Sequence, residues 1–159
     1  MALQYELGLK KPFGFLEHEA ILNIYYSSSC LKKRASEFFA PFGLTDVQFN
    51  VLMLLNHQSG DEGGLSQATL SEMMLVNRAN ITSLVDRMEK AGLVIRTADA
   101  NDRRYNIVKL TSKSIKLLEK IEPLYGQEVK KVMSCLKESE QKQLVKLLEK
   151  IRAKLTESF

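Results

Sequence analysis

The side chains able to do chemistry in this 159-residue sequence fall into two groups, and neither has the make-up of a catalytic centre. His18 and His57 stand alone, with no carboxylate or thiol at metal-ligand spacing, and Cys30 and Cys135 lie too far apart to form a ligand pair. No paired carboxylates, no nucleophile beside a base and no phosphate-cradling glycine loop occur, so neither an enzyme, nor a bound metal, nor a cofactor is expected. The second group is cationic and small-polar. Arg78, Ala79, Asn80, Thr82, Ser83 and Arg87 share one short segment, and Asp102, Arg103 and Arg104 follow it. Between Arg78 and Thr111 seven basic residues (Arg78, Arg87, Lys90, Arg96, Arg103, Arg104, Lys109) meet four acids (Asp86, Glu89, Asp99, Asp102). Most of the chain's net charge of +4 is therefore concentrated there. Such a surface suits a polyanion, by long-range attraction and by charge-assisted hydrogen bonds.

The elements that must position these residues follow from periodicity and punctuation. A first helix covers about Phe15 to Phe39, with Ile21, Ile24, Tyr25, Leu31, Ala35 and Phe38 at helical spacings, and Ala40-Pro-Phe-Gly43 ends it. Thr45 and Gln48 have the capping-box arrangement that opens a second, largely apolar helix. Ser66 caps a short third helix to Met73, and Asn77 caps a fourth to about Lys90 with the inward stripe Ile81, Leu84, Val85 and Met88. Within that fourth helix, Asp86 and Lys90 stand at the spacing of a supporting ion pair. Gly92 occupies the place where a helix end favours positive φ.

Leu93 to Thr97 and Tyr105 to Leu110 are rich in β-branched and aromatic residues and predict a hairpin whose polar tip holds Asp102 and Arg103. Thr111 caps a further helix, which Pro123 is expected to kink or break. The last helix, about Ser139 to Thr156, carries the seam Leu144, Leu148, Ile151 and Leu155.

A short helix, a tight turn, a second helix and a basic hairpin form a device that fits duplex DNA. The second helix is narrow enough for the major groove, and Arg78, Ala79, Asn80, Thr82, Ser83 and Arg87 face away from its apolar stripe. Arginines 103 and 104 can reach phosphates or a narrow minor groove, with Asp102 near enough to orient them.

The run Leu65-Ser-Gln-Ala-Thr-Leu-Ser-Glu-Met-Met-Leu-Val-Asn-Arg-Ala-Asn-Ile-Thr-Ser-Leu-Val-Asp-Arg-Met-Glu-Lys-Ala-Gly-Leu-Val94 resembles the helix-turn-helix of the MarR (multiple antibiotic resistance regulator) family. Asp102-Arg-Arg104 followed by Val108-Lys-Leu-Thr111 resembles that family's wing signature, and Leu44-Thr-x-x-Gln-Phe49 also fits. The resemblance implies a mainly α fold with a small β-hairpin wing: a winged helix-turn-helix lobe at 44–111, and a helical dimerisation region from 1–43 together with 112–159. It implies that Asn77 to Arg87 read the major groove and that Arg104, held by Asp102, enters the minor groove. Its partners would be double-stranded DNA with a pseudo-palindromic operator and a second copy of the chain.

The resemblance further implies repression relieved by a small aromatic or phenolic effector. Tyr25, Tyr26 and Cys30 on the first helix are candidates to line its pocket. Two positions depart from the family pattern: Leu75 stands where glycine is common, which suggests a slightly different turn, and Asn77 stands where aspartate is common. The alternatives are a thiol-based redox sensor using Cys30 or Cys135, and a winged-helix module that binds protein. No signal peptide and no spanning apolar run is visible, so a cytoplasmic protein with no membrane association is expected.

Overall fold

The structure, a computed structural model, describes residues 2–60, 63–98 and 106–157. The helices are α1 (Leu3–Glu6), α2 (Leu16–Phe39), α3 (Asp46–Gln58), α4 (Gln67–Met73), α5 (Arg78–Lys90), α6 (Ser112–Met133) and α7 (Glu138–Thr156). The strands are β1 (Leu65–Ser66), β2 (Val94–Ala98) and β3 (Asn106–Leu110), and a 3-10 turn at Ala40–Phe42 follows α2. The fold is a winged helix-turn-helix: mostly helical, with a three-stranded antiparallel sheet in the order β1-β3-β2. The chain divides into two compact units, Met1–Thr111 and Ser112–Phe159.

In the first unit the expected caps form. Thr45 Oγ1 accepts from Gln48 N at 3.2 Å while Gln48 Oε1 accepts from Thr45 N at 2.9 Å, closing the box that starts α3. Ser66 Oγ accepts from Thr69 N, and Asn77 Oδ1 from Asn80 N at 2.9 Å, starting α4 and α5. Phe49, Val51, Leu52 and Leu55 of α3 are buried, and Phe49 stacks on Phe39 from the end of α2 with centroids 4.4 Å apart. Ile81, Leu84, Val85 and Met88 are all buried, as their spacing predicts. Each such side chain contributes about 1.5–3 kcal/mol by leaving water, so the face that α5 turns outward is strongly determined.

The two helix ends that frame α5 share one backbone design. After α5, Gly92 at φ +70° lets its N–H donate to Glu89 O and lets Leu93 N donate to Met88 O, both at 2.9 Å. After α4, Leu75 N donates to Glu72 O and Val76 N to Ser71 O in the same pattern. Leu75 takes the left-handed position there, at φ +51°, with its side chain 90% exposed. The place of the glycine is thus taken by a leucine that itself adopts the left-handed conformation. The leucine adopts the glycine conformation because two backbone hydrogen bonds require it, and Ser71 Oγ adds a third by donating to the Val76 carbonyl oxygen.

β1 was not expected. It pairs Leu65 with Val108 and Ser66 with Ile107, against the opposite edge of β3 from β2. Two residues are too short for an alternating signal, and Gly64 makes the approach possible. A Cβ on Gly64 would lie 2.6 Å from the Val108 carbonyl oxygen.

The second unit is a pair of helices. α6 runs as one element from Ser112 to Met133 with Pro123 inside it, so the expected break is absent. Proline removes one helical hydrogen bond and crowds the carbonyl one turn earlier, at Glu119, an exposed position where water can satisfy it. Ser114, Leu118 and Ile121 of α6 are buried, whereas no residue of α7 is. Leu144, Val145, Leu147, Ile151 and Leu155 are exposed. No single helix among the described residues is long and apolar enough to cross a membrane.

Two substitutions test this account in thermal or denaturant unfolding. Gly64→Ala drives a methyl into a paired backbone carbonyl and should cost about 1–3 kcal/mol. Leu75→Gly removes a left-handed penalty of about 1 kcal/mol and loses almost no burial, partly offset by the entropy of glycine in the unfolded chain. It should leave the melting temperature unchanged or raised; a clear fall would show that the leucine side chain makes a stabilising contact.

Candidate nucleic-acid interface

The candidate interface is centred on α5. Its sequence turns Arg78, Ala79, Asn80, Thr82, Ser83, Asp86, Arg87 and Lys90 to solvent, opposite the buried stripe. Ala79 and Ser83, one turn apart, form the centre of the outward ridge, so the part of the helix that would go deepest into a groove carries the smallest side chains. Asn77 serves as the cap and is itself exposed. All of the helix residues singled out in the sequence thus lie on one exposed face. Asp102, Arg103 and Arg104 lie outside the described residues, as does Tyr105 at the start of the predicted second strand.

The acids of α5 are not where the sequence places them. Asp86 makes its ion pair with Arg96 of β2, not with Lys90, and Glu89 binds the same guanidinium. Glu89 Oε1 also accepts from the Arg96 backbone N–H at 3.0 Å. Burial of the Arg96 stem works against its charge, but the hydrogen bonds and charges of Asp86 and Glu89 outweigh that and raise its already high pKa. Arg96 therefore stays cationic at any pH the fold survives. Two consequences follow. Both carboxylates of α5 are neutralised at the root of the wing, leaving Arg78, Arg87 and Lys90 to set the helix's outward potential. The wing's first strand is also locked in register with α5, because a planar guanidinium held by two carboxylates resists both sliding and rotation.

The other end of the hairpin is tied down as well. Thr111 Oγ1 donates to the Gly92 carbonyl oxygen at 2.8 Å, closing the base of the wing on the end of α5. At the start of α5, Thr82 Oγ1 donates to the Arg78 carbonyl oxygen at 2.9 Å and to Gln67 Oε1 of α4 at 3.0 Å. In the sequence Arg96 is one charge among seven and nothing marks Gln67. The Glu89-to-Arg96 separation across the Gly92 turn is a weak signal for the first. A contact fifteen residues apart between two helices leaves no signal for the second.

The remaining candidates belong to other segments of the chain. On α2, Tyr25 is 68% exposed, Tyr26 is half-buried and Cys30 is exposed. Cys135 is also exposed, and neither cysteine is in a disulfide. A separate open cleft of about 480 Å³ lies between α3 and α4, with Met53, Leu54, His57, Met73 and Met74 in its lining. Neither tyrosine nor Cys30 belongs to it.

A buried-stripe reading helix with a small-residue ridge, locked to an antiparallel wing, defines a winged helix-turn-helix DNA-binding protein. Comparison with known proteins makes the class specific. The MarR family model matches residues 42–104. The HTH-type transcriptional regulator MhqR of Bacillus subtilis is 35% identical over 69% of this chain and 72% of its own. The uncharacterized HTH-type regulator YkoM, also of Bacillus subtilis, is 30% identical over 89% of this chain and 92% of its own. Among solved structures, MepR of S. aureus in complex with DNA superposes with a TM-score of 0.74 at 25% identity, covering 89% of this chain and 99% of that one. The chain belongs to the MarR family, and it is a DNA-binding transcriptional regulator rather than an enzyme.

Arg96→Ala should destabilise the protein by about 1 kcal/mol, since a partly exposed ion-pair network lies at the upper end of surface pairs. DNA affinity should fall further than stability, because two uncompensated carboxylates would then stand beside the phosphates. Arg96→Lys should recover charge but not the two-carboxylate grip. Equal DNA binding by wild type and Arg96→Ala would show that the clamp does not matter to the interface.

Proposed function

We propose that this regulator acts as a homodimer that places two copies of α5 in successive major grooves of a pseudo-palindromic operator and represses transcription by occupying it. The observation that carries this reading is the composition of the exposed α5 face: cations at its flanks, Ala79 and Ser83 at its centre, and both acids withdrawn to Arg96. Half-site centres about 34–36 Å apart would match one turn of DNA. The dimer would be assembled from 1–43 and 112–159. In support, Leu16, Ile21, Tyr25 and Leu31 on α2 and Leu144, Ile151 and Leu155 on α7 are all exposed in the single chain, an arrangement that a second copy would relieve.

Within the interface, Asn77, Arg78, Ala79, Asn80, Thr82, Ser83 and Arg87 are assigned to the major groove and its phosphates. Arg103 and Arg104, oriented by Asp102, are assigned to the adjacent backbone and minor groove. Release by a small aromatic or phenolic effector belongs to the same reading, with Tyr25, Tyr26 and Cys30 at its site. A ligand that binds better to a form with the wrong spacing of the two reading helices would lower operator affinity by that difference.

The test is fluorescence-anisotropy titration of the wild type and single variants against promoter DNA next to its own gene and against scrambled duplex. Wild type should bind the promoter as two chains per site, with affinity falling steeply as salt rises. Arg78→Ala should lower the salt slope by about one phosphate contact, and Arg104→Ala should weaken binding by about 1–3 kcal/mol. Equal binding to both duplexes across a library of promoters would remove the sequence-specific reading.

A further inference from the structure

A hydrogen bond between Gln67 and Thr82 joins α4 to the first half of α5. Thr82 has one hydroxyl proton, shared between two acceptors, the Arg78 carbonyl oxygen and Gln67 Oε1. The Gln67 carboxamide oxygen is thereby engaged, and its plane is set by a neighbour on the reading helix. Its Nε2, with two hydrogens, has no partner among the described residues. A primary amide held in this way is a pre-oriented neutral donor.

Its place indicates what it donates to. Thr82 is one residue, roughly 100° of helix rotation, from Ser83 on the outward ridge of α5. A side chain reached through Thr82 therefore lies at the flank of the helix, not on the line that enters the groove. Beside a helix seated in the major groove, that flank runs along the sugar-phosphate strand, where acceptors are the non-bridging phosphate oxygens. Arg78 projects near the same flank, four residues before Thr82, and supplies the charge that a neutral amide lacks.

We propose that Gln67 is a DNA-contacting residue on α4 that donates through Nε2 to an operator phosphate, and that Thr82 acts mainly as its positioning residue and not as a base reader. This rests on the DNA-binding reading above. On this proposal the part assigned to Thr82 in the interface is narrowed: it is exposed, but its proton is committed within the protein, so it enters recognition through Gln67.

The experiment uses the full chain and a duplex selected by the wild type from a random-sequence library, together with every single base-pair variant of that duplex. Gln67→Ala should weaken binding about 2- to 10-fold, the loss of one hydrogen bond, by the same factor on every duplex. The salt slope should stay at its wild-type value, because a neutral donor releases no counterion. Gln67→Glu should weaken binding more than Gln67→Ala, since it sets a carboxylate against a phosphate, and the gap should narrow as salt rises. Thr82→Ala should weaken binding in the wild-type background but have a much smaller effect in Gln67→Ala, while unfolding curves show all variants folded.

Wild-type affinity in Gln67→Ala overturns the proposal. So does a loss confined to duplexes altered at one base pair, which would make Gln67 a base reader, and so do additive effects of the two substitutions. If the wild type selects no duplex at all, the DNA-binding reading falls and this inference falls with it, an outcome distinct from the other three.

Discussion

The geometry of the reader depends on the sealing of one face of α5. Four apolar side chains at offsets of three, four and seven leave water together, and a helix with one face so committed has no freedom to rotate about its axis. Everything presented to a partner is then determined by default: the residues left over are those between the apolar ones. Ala79 and Ser83 sit opposite the stripe because they are half a turn from it. The helix can be short, thirteen residues, because burial and not intrinsic helical preference holds it. Its start is capped by Asn77 and its end by the left-handed Gly92, so neither terminus depends on the partner for order.

Around this rod the structure adds constraints at both ends. At the start, the turn from α4 holds Leu75 in a conformation that glycine adopts more easily, and Thr82 reaches Gln67. At the far end, Asp86 and Glu89 grip Arg96 while Thr111 closes on Gly92. The reading helix, the first helix of the motif and the root of the wing are thus tied together by side-chain contacts at both ends of α5. Such ties have a functional meaning here. A contact surface assembled before binding loses little conformational freedom on binding, so more of the hydrogen-bond energy appears as affinity and discrimination.

The charge distribution follows the same logic. On paper, the stretch from Arg78 to Thr111 has a modest basic excess diluted by four acids. In the structure, two of those acids are consumed by one arginine that faces the protein, and the cations left exposed on α5 have no acid of their own helix competing for them. Local net charge is the same in either description, but the field at the outer surface is not. A cluster of paired charges contributes little at the distance of a phosphate, whereas an exposed arginine contributes fully.

Much of this was legible in the sequence because the governing interactions are local. Thr45 with Gln48, Ser66 with Thr69, Asn77 with Asn80 and the positive φ of Gly92 lie within one turn of chain, and the apolar stripe of α5 is a matter of period alone. The order of helices and hairpin followed from those marks, and the family resemblance from the motif at 65–94 and the wing signature at 102–111. What the sequence left open depends on contacts between distant segments. The partner of Asp86 was decided by where β2 returns, and the strand β1 exists because Gly64 lets two backbones approach. The second hydrogen-bond partner of Thr82 was decided by a glutamine on another helix. Short-range rules fix which residues can form an element and which face it shows; only the packed chain decides which side chain spends its proton or its charge on which neighbour, because that choice is made by distance in space.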